Sequence, residues 1–168
     1  MKKTMTSVNP PFSQLILDGK KKIEWRTKPL PLGWSELYET KKKGGLGKVI
    51  GQFEVVENIK VDLFELACND KKGLIEKGCV DWGFLNDYAT LKRSYLYANV
   101  IDKVERYDKP KELSEFRKPC KFAYSSYEEG TCYEDCIHGK LEDCRCFCLP
   151  ITRPFQSWGY IEDIDLGE

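Results

Sequence analysis

The sequence predicts an α+β fold, a small and partly closed β-barrel with helices at its edge. Three observations carry this expectation. Segments rich in β-branched and aromatic residues predominate and do not alternate regularly with helical ones, which argues against a doubly wound parallel sheet. A chain of 168 residues, 41% of them hydrophobic, suits one domain with its own core. Residues 120–149 then break the pattern: six of the eight cysteines fall there among few large aliphatics, so this stretch reads as an insertion. The expected organisation is therefore a single domain over 1–168 with a cysteine-rich insertion at 120–149.

Taken in order, Asn9-Pro10-Pro11 opens a short helix, with Asn9 suited to the N-cap and Pro10 to the first helical position. Phe12, Leu15 and Ile16 recur at helical spacing, and Gly19 is a natural stop. Lys22 to Arg26 alternates as a strand does, placing Ile23 and Trp25 on one face and Glu24 and Arg26 on the other. Pro29, Pro31 and Gly33 end it, and Glu36 to Thr40 is a second short strand. A basic, glycine-rich loop follows at Lys41 to Lys48. Val49 to Ile59 reads as a long strand, Asp62 to Glu76 as helical, and Asp87 to Arg93 as a second helix. Tyr95 to Tyr107 is another long strand, ended by Asp108-Lys109-Pro110. Glu112 to Phe116 is a helical turn, and Ser157 to Ile161 a closing strand.

Charge narrows the function classes. Lysine plus arginine equal aspartate plus glutamate at 27 each, so net charge draws the chain toward neither nucleic acid nor membrane, and any such affinity rests on local distribution. The basic start Met1-Lys2-Lys3 has no apolar core behind it, and no run approaches the ~20 apolar residues of a membrane span. A soluble, cytoplasmic protein without membrane partners is expected.

The densest chemistry lies in Gly19-Lys20-Lys21-Lys22-Ile23-Glu24-Trp25-Arg26. Two cations flank an anion just after a helix-to-strand turn, a common place for sites. Glu24 and Arg26 share a strand face, and an arginine fork suits phosphate or a nucleobase edge. Should Lys21 converge on Glu24, each charge favours the other, and a neutral lysine base would need desolvation strong enough to overcome that pairing. On composition alone, a solvated charged edge explains the same residues.

Gly19-x-Lys21-x-x-Glu24-x-Arg26 resembles the Gly-x-Lys-x-x-Glu-x-Arg signature of the ASCH domain family. The likeness extends to Leu37-Tyr38-Glu39-Thr40, Gly47-Lys48-Val49-Ile50-Gly51, Val104-Glu105-Arg106-Tyr107, Leu113-Ser114-Glu115-Phe116 and Pro154-Phe155-Gln156-Ser157-Trp158, covering about residues 7–119 and 150–164. The resemblance implies a PUA-like mixed β-barrel with flanking helices and a cleft lined by the signature, binding RNA or a modified nucleotide or nucleoside. It also implies an alternative, a metal-independent hydrolase acting on an acylated cytidine nucleoside, or a ribonuclease. Lys21 and Glu24 would then be the catalytic pair, although the amidohydrolase members carry threonine where this chain has Glu24.

In a reducing compartment, clustered cysteines read first as metal ligands, and otherwise as disulfides or free thiols. Cys132, Cys136, Cys144 and Cys146 form two local pairs able to hold a structural zinc, with Cys148 able to substitute for one of them. His138 is the one histidine, which leaves a Ser-His or Cys-His hydrolase poorly supported. Lys41 to Lys48 fails as a phosphate-binding loop, because Val49 follows Lys48 and Lys42 occupies the first glycine position. It reads as a hairpin connection whose lysines, Lys48 included, can meet a nucleic-acid backbone, or as a simple solvated turn. Among the tryptophans, Trp34 in a polar loop is the candidate for stacking a base. A protein-interaction module built on the cysteine-rich insertion is the third reading.

Overall fold

The computed structural model describes residues 3–67, 72–89, 94–119 and 150–163. Seven strands form one mixed sheet, β1 (Lys3–Val8), β2 (Ile23–Arg26), β3 (Gly33–Glu39), β4 (Lys48–Asp62), β5 (Tyr95–Lys111), β6 (Phe116–Arg117) and β7 (Trp158–Asp163). Their order is β2-β5-β4-β3-β1-β7-β6, with β1 parallel to β3 and every other pair antiparallel. A parallel pair needs a crossover; helix α1 (Phe12–Leu17) and β2 supply it. Helices α2 (Leu63–Ala67), α3 (Lys72–Lys77) and α4 (Trp82–Ala89) lie between β4 and β5 in the chain.

Three apolar clusters hold the sheet. One gathers Ile16 and Leu17 of α1 against Leu37, Ile50, Phe53 and Ile101. A second packs Leu66 of α2 and Leu85 and Ala89 of α4 onto Ile23, Trp25, Val61, Leu96 and Ala98. The third joins Met5, Tyr38, Val49, Phe116, Ile151 and Ile161. Burying such side chains supplies roughly 1.5–3 kcal/mol each. As a result β2, four residues long, is covered on both faces.

The expected barrel does not close. Among the described residues β2 pairs with β5 alone, β6 reaches only β7 and the isolated bridge from Arg117 to Pro150, and no ladder joins the two ends. With four and two residues, these edge strands offer few backbone groups for closure. Curvature enters instead through the β4–β5 ladder, whose register shifts after Val49, after Phe53 and after Val55. Gly51 belongs to this region of close approach, since a Cβ there would meet the Glu105 carbonyl oxygen at 2.3 Å.

Other elements correct the sequence expectations. No element is expected before Asn9, yet β1 lies inside the sheet with Thr4, Thr6 and Ser7 buried. Asn9 does not cap α1; Pro11 stands at the N-cap without a side-chain bond, and Asn9 accepts a hydrogen bond from the Thr40 hydroxyl at 2.6 Å. Helix α4 begins upstream of the expected Asp87, because the Asp81 carboxylate accepts the Phe84 amide at 2.8 Å and so starts the helix earlier. Strand β5 runs on through Pro110 to Lys111, where the shifted register lets Val49 pair with Lys111. Of the expected 62–76 helix, Asp62 belongs to β4 instead, and the described residues form α2 over Leu63–Ala67 and α3 over Lys72–Lys77. The 120–149 segment, with all its proposed metal ligands, lies outside the described residues.

One buried carboxylate ties this frame together. Glu39, 3% exposed at the end of β3, accepts the Ser13 hydroxyl at 2.6 Å, the Gln14 amide at 2.7 Å and the Leu46 backbone amide at 3.0 Å. Burial pushes its pKa up, but these hydrogen bonds, with the Arg106 charge, outweigh it and hold the carboxyl below its ordinary value. The ionised form is therefore favoured by folding, and its contribution is present at neutral pH and lost as pH falls through the lowered pKa. Glu39→Gln is expected to reduce unfolding free energy by roughly 1–3 kcal/mol at pH 7. In urea titrations the difference from the unmodified chain should shrink once pH drops below about 4.

Candidate functional site

Gly19 follows α1 with φ of +68°, a left-handed turn that glycine adopts without steric cost. The amides of Gly19, Lys20 and Lys21 fold back onto the carbonyls of Ile16 and Leu15, so the helix end is tied off and the chain is re-aimed into β2. Lys22 then donates its amide to Lys77 at 2.7 Å and accepts the Ile101 amide at 2.9 Å. Within β2, Ile23 and Trp25 join the helical cluster, leaving Glu24 and Arg26 to the other face, as the alternation predicts. Asn99, fully buried opposite Glu24 in the β2–β5 register, locks this strand. Its amide donates to the Glu24 carbonyl at 2.7 Å, while its carbonyl accepts from the Leu30 amide and Asn58, each at 2.8 Å.

The three signature side chains converge. Glu24 receives Arg26 at 2.9 Å on one oxygen and Lys21 at 3.5 Å on the other. Arg26 also donates to the Ser7 carbonyl at 2.7 Å and, at 3.4 Å, to the Ser157 hydroxyl. Lys21 donates to the Gly78 carbonyl and stands 4.9 Å from the centre of the Phe12 ring. Exposure is only 2% for Lys21, 7% for Glu24 and 8% for Arg26, so the alternative of a solvated charged edge is excluded. Burial lowers the pKa of the Lys21 ammonium below the usual lysine value, while the Glu24 carboxylate pulls against that shift.

These groups line a cleft of about 1050 Å³. Phe12, Phe84 and Tyr88 border it from α1 and α4, and Lys41, Lys42 and Lys43 from the β3–β4 loop. Among the described residues the Arg26 Nε and the Ser7 hydroxyl are buried without hydrogen-bond partners. Buried polar atoms left so are costly, and at a cleft they mark where a ligand's polar atoms would be satisfied. Trp34 and Lys48 do not join the cleft: Trp34 is 38% exposed on β3, and Lys48 is ion-paired with Glu112 at 2.6 Å.

No family model and no curated protein matches the sequence. Solved structures do. The chain is similar to the crystal structure of ASCH from Zymomonas mobilis, with 22% identity and a TM-score of 0.56 over 67% of this chain and 74% of that one. A tyrosine-to-phenylalanine mutant of that protein matches alike, at 22% identity and TM-score 0.56, over 67% and 77%. A serine-to-alanine mutant gives TM-score 0.64 at 18% identity, over 96% of this chain and 89% of that one. This chain has an ASCH-like fold. At 18–22% identity the likeness speaks for the ASCH architecture alone, and the chemistry rests on the residues described above.

Sequence reasoning missed several residues of this ASCH-like cleft. Ser7 was missed because no strand was expected before Asn9, and Phe84 because the expected helix began only at Asp87; Tyr88 fell within that helix but was not singled out. The alternation of Thr4, Thr6 and Val8 with Met5 was the available strand signal, and Asp81 the available helix start. Gly78 was passed over as well, although it supplies the carbonyl that receives Lys21. Its proximity to the ring explains the glycine: a Cβ would lie 2.3 Å from the Trp25 Nε1. Gly78→Ala is expected to cost roughly 1–3 kcal/mol in denaturant titrations and to change tryptophan fluorescence, as the indole is pushed away.

Proposed function

We propose that the cleft binds RNA or a nucleotide, with Arg26 and Lys21 as the recognition groups and Glu24 as the residue that orients them. One observation carries this reading: the Arg26 guanidinium is fixed by Glu24 and the Ser7 carbonyl, while its Nε and the Ser7 hydroxyl both remain without hydrogen-bond partners. A planar guanidinium held in one orientation suits a phosphate or a base edge. The lysines of the 41–43 turn add cationic charge at the border, where it can meet a phosphate backbone. Local charge then does what a net charge of zero does not.

Lys21 supports a second reading, an acyl-nucleoside hydrolase or ribonuclease. Burial favours its neutral amine, the form a general base requires. Glu24 at 3.5 Å and the Gly78 carbonyl both stabilise the ammonium instead, so binding is the preferred function. The zinc reading of Cys132, Cys136, Cys144 and Cys146, with Cys148 as substitute, remains a proposal from the sequence. Elemental analysis of freshly purified, reduced protein is expected to find about one zinc per chain, and its absence removes that proposal.

Arg26→Gln and Lys21→Met are each expected to weaken binding of a labelled nucleotide or short RNA by on the order of ten-fold or more, measured at low salt beside unfolding controls. Unchanged affinity in both variants would sink the binding reading. Affinity should also decline with rising pH before the ordinary lysine range near 10.4, because the lowered pKa of Lys21 removes its positive charge early. Incubation with N4-acetylcytidine decides the second reading, since release of cytidine supports hydrolysis and retained nucleotide binding without turnover rejects it.

A further inference from the structure

We propose that Lys48, which stands outside the cleft, is a positioning residue that keeps the cleft receptive to anions by holding and cancelling the charge of Glu112. This rests on the reading that Arg26 and Lys21 bind a nucleotide or RNA there. Among the described residues the cleft lining carries two acids, Glu24 and Glu112. Each opposes an anionic ligand unless a cation answers it. Glu24 is answered from within, by Arg26 on one oxygen and Lys21 on the other. Glu112 is answered from outside: its Oε1 meets the Lys48 ammonium at 2.6 Å, and Lys48 does not belong to the lining.

The fold brings this pair together. Val49 pairs with Lys111 in the β4–β5 ladder, so the next residues outward, Lys48 and Glu112, come to lie side by side. Glu112 is also anchored without Lys48. It forms a reciprocal capping box with the helical turn Leu113–Glu115, its side chain accepting the Glu115 amide while Glu115 accepts the Glu112 amide at 2.7 Å. Loss of the ammonium would therefore leave a carboxylate in place on the cleft wall. Its charge is felt there: the Tyr38 phenol, also on the lining, is held above its ordinary pKa by burial and then by Glu112. The side chains of Lys48 and Glu112 are 41% and 55% exposed, and a pair so open to water contributes little to stability. Variants at these positions thus read binding rather than folding.

The test measures affinity of the full chain for a fluorescent mononucleotide and a short labelled RNA at low salt. Lys48→Met is expected to weaken both by on the order of five-fold, the effect of one uncompensated charge a few ångströms away in water. Lys48→Arg should keep the original affinity, and Lys48→Met combined with Glu112→Gln should regain it. Asp102→Asn removes an exposed acid outside the lining and should regain nothing when combined with Lys48→Met. A loss that persists in the Glu112→Gln background means that Lys48 meets the ligand itself, and overturns the proposal. Unchanged affinity in Lys48→Met, or equal recovery with Asp102→Asn, overturns it as well. In all these cases binding that still depends on Arg26 leaves the nucleotide reading intact. Failure of the unmodified chain to bind either probe overturns both.

Discussion

Burying the Lys21, Glu24 and Arg26 charges together is the constraint around which the rest of this structure is arranged. An isolated ion moved into a protein interior loses several kcal/mol of hydration, and a buried pair recovers it only with good geometry and further hydrogen bonds. Here Glu24 has a cation on each oxygen, Lys21 has the Gly78 carbonyl, and Arg26 has the Ser7 carbonyl. The set draws on β1, β2 and the turn after α3. The two ion pairs are local in the chain, but the Gly78 and Ser7 contacts exist only once the sheet and the helices between β4 and β5 have assembled.

The surrounding frame meets this demand at each end of β2. Gly19 releases the chain from α1 in a left-handed turn, and Asn99 fastens the strand backbone to β5 opposite Glu24. Trp25 and Ile23 anchor the far face in the helical cluster, so the side chains of Glu24 and Arg26 have one direction left. Glu39 performs a comparable service nearby, joining α1 to the loop that presents Lys41 to Lys43. The cleft therefore sits where rigid strands meet two short connections, with its charges held by strands and its lysines carried by a turn.

Within this frame most buried polar groups are satisfied, and of the four buried atoms without a hydrogen-bond partner among the described residues three belong to residues that line the cleft. Glu36 has Lys3 at 2.8 Å and both oxygens bonded to the Tyr107 hydroxyl, so it is a structural carboxylate. Asn99 uses both ends of its amide. The Arg26 Nε, the Ser7 hydroxyl and the Trp25 Nε1 depart from that pattern at the cleft, and one Glu54 oxygen departs from it elsewhere. The contrast supports the recognition role proposed for Arg26, whereas Glu36, Glu39 and Asn99 hold the frame.

Much of this was legible in the residues themselves. Alternation put Glu24 and Arg26 on a shared face, Gly19 marked the turn, and the Val- and Ile-rich run from Val49 located the long central strand. Local patterns of that kind are set by side-chain period and backbone sterics, so a short window of sequence suffices. What remained hidden depends on partners distant in the chain. The polar sequence of β1 becomes a central strand only because β3 and β7 flank it, and β5 continues through Pro110 only because β4 offers a shifted register. The open sheet edge, Gly78 as the acceptor for Lys21, and the alignment of Phe84 with Tyr88 beside the cleft arise the same way. The sequence by itself determined which charges the signature carries and which face of β2 they share. Tertiary structure decided that those charges are buried, because removal from water is a property of everything packed around them and not of the strand that bears them.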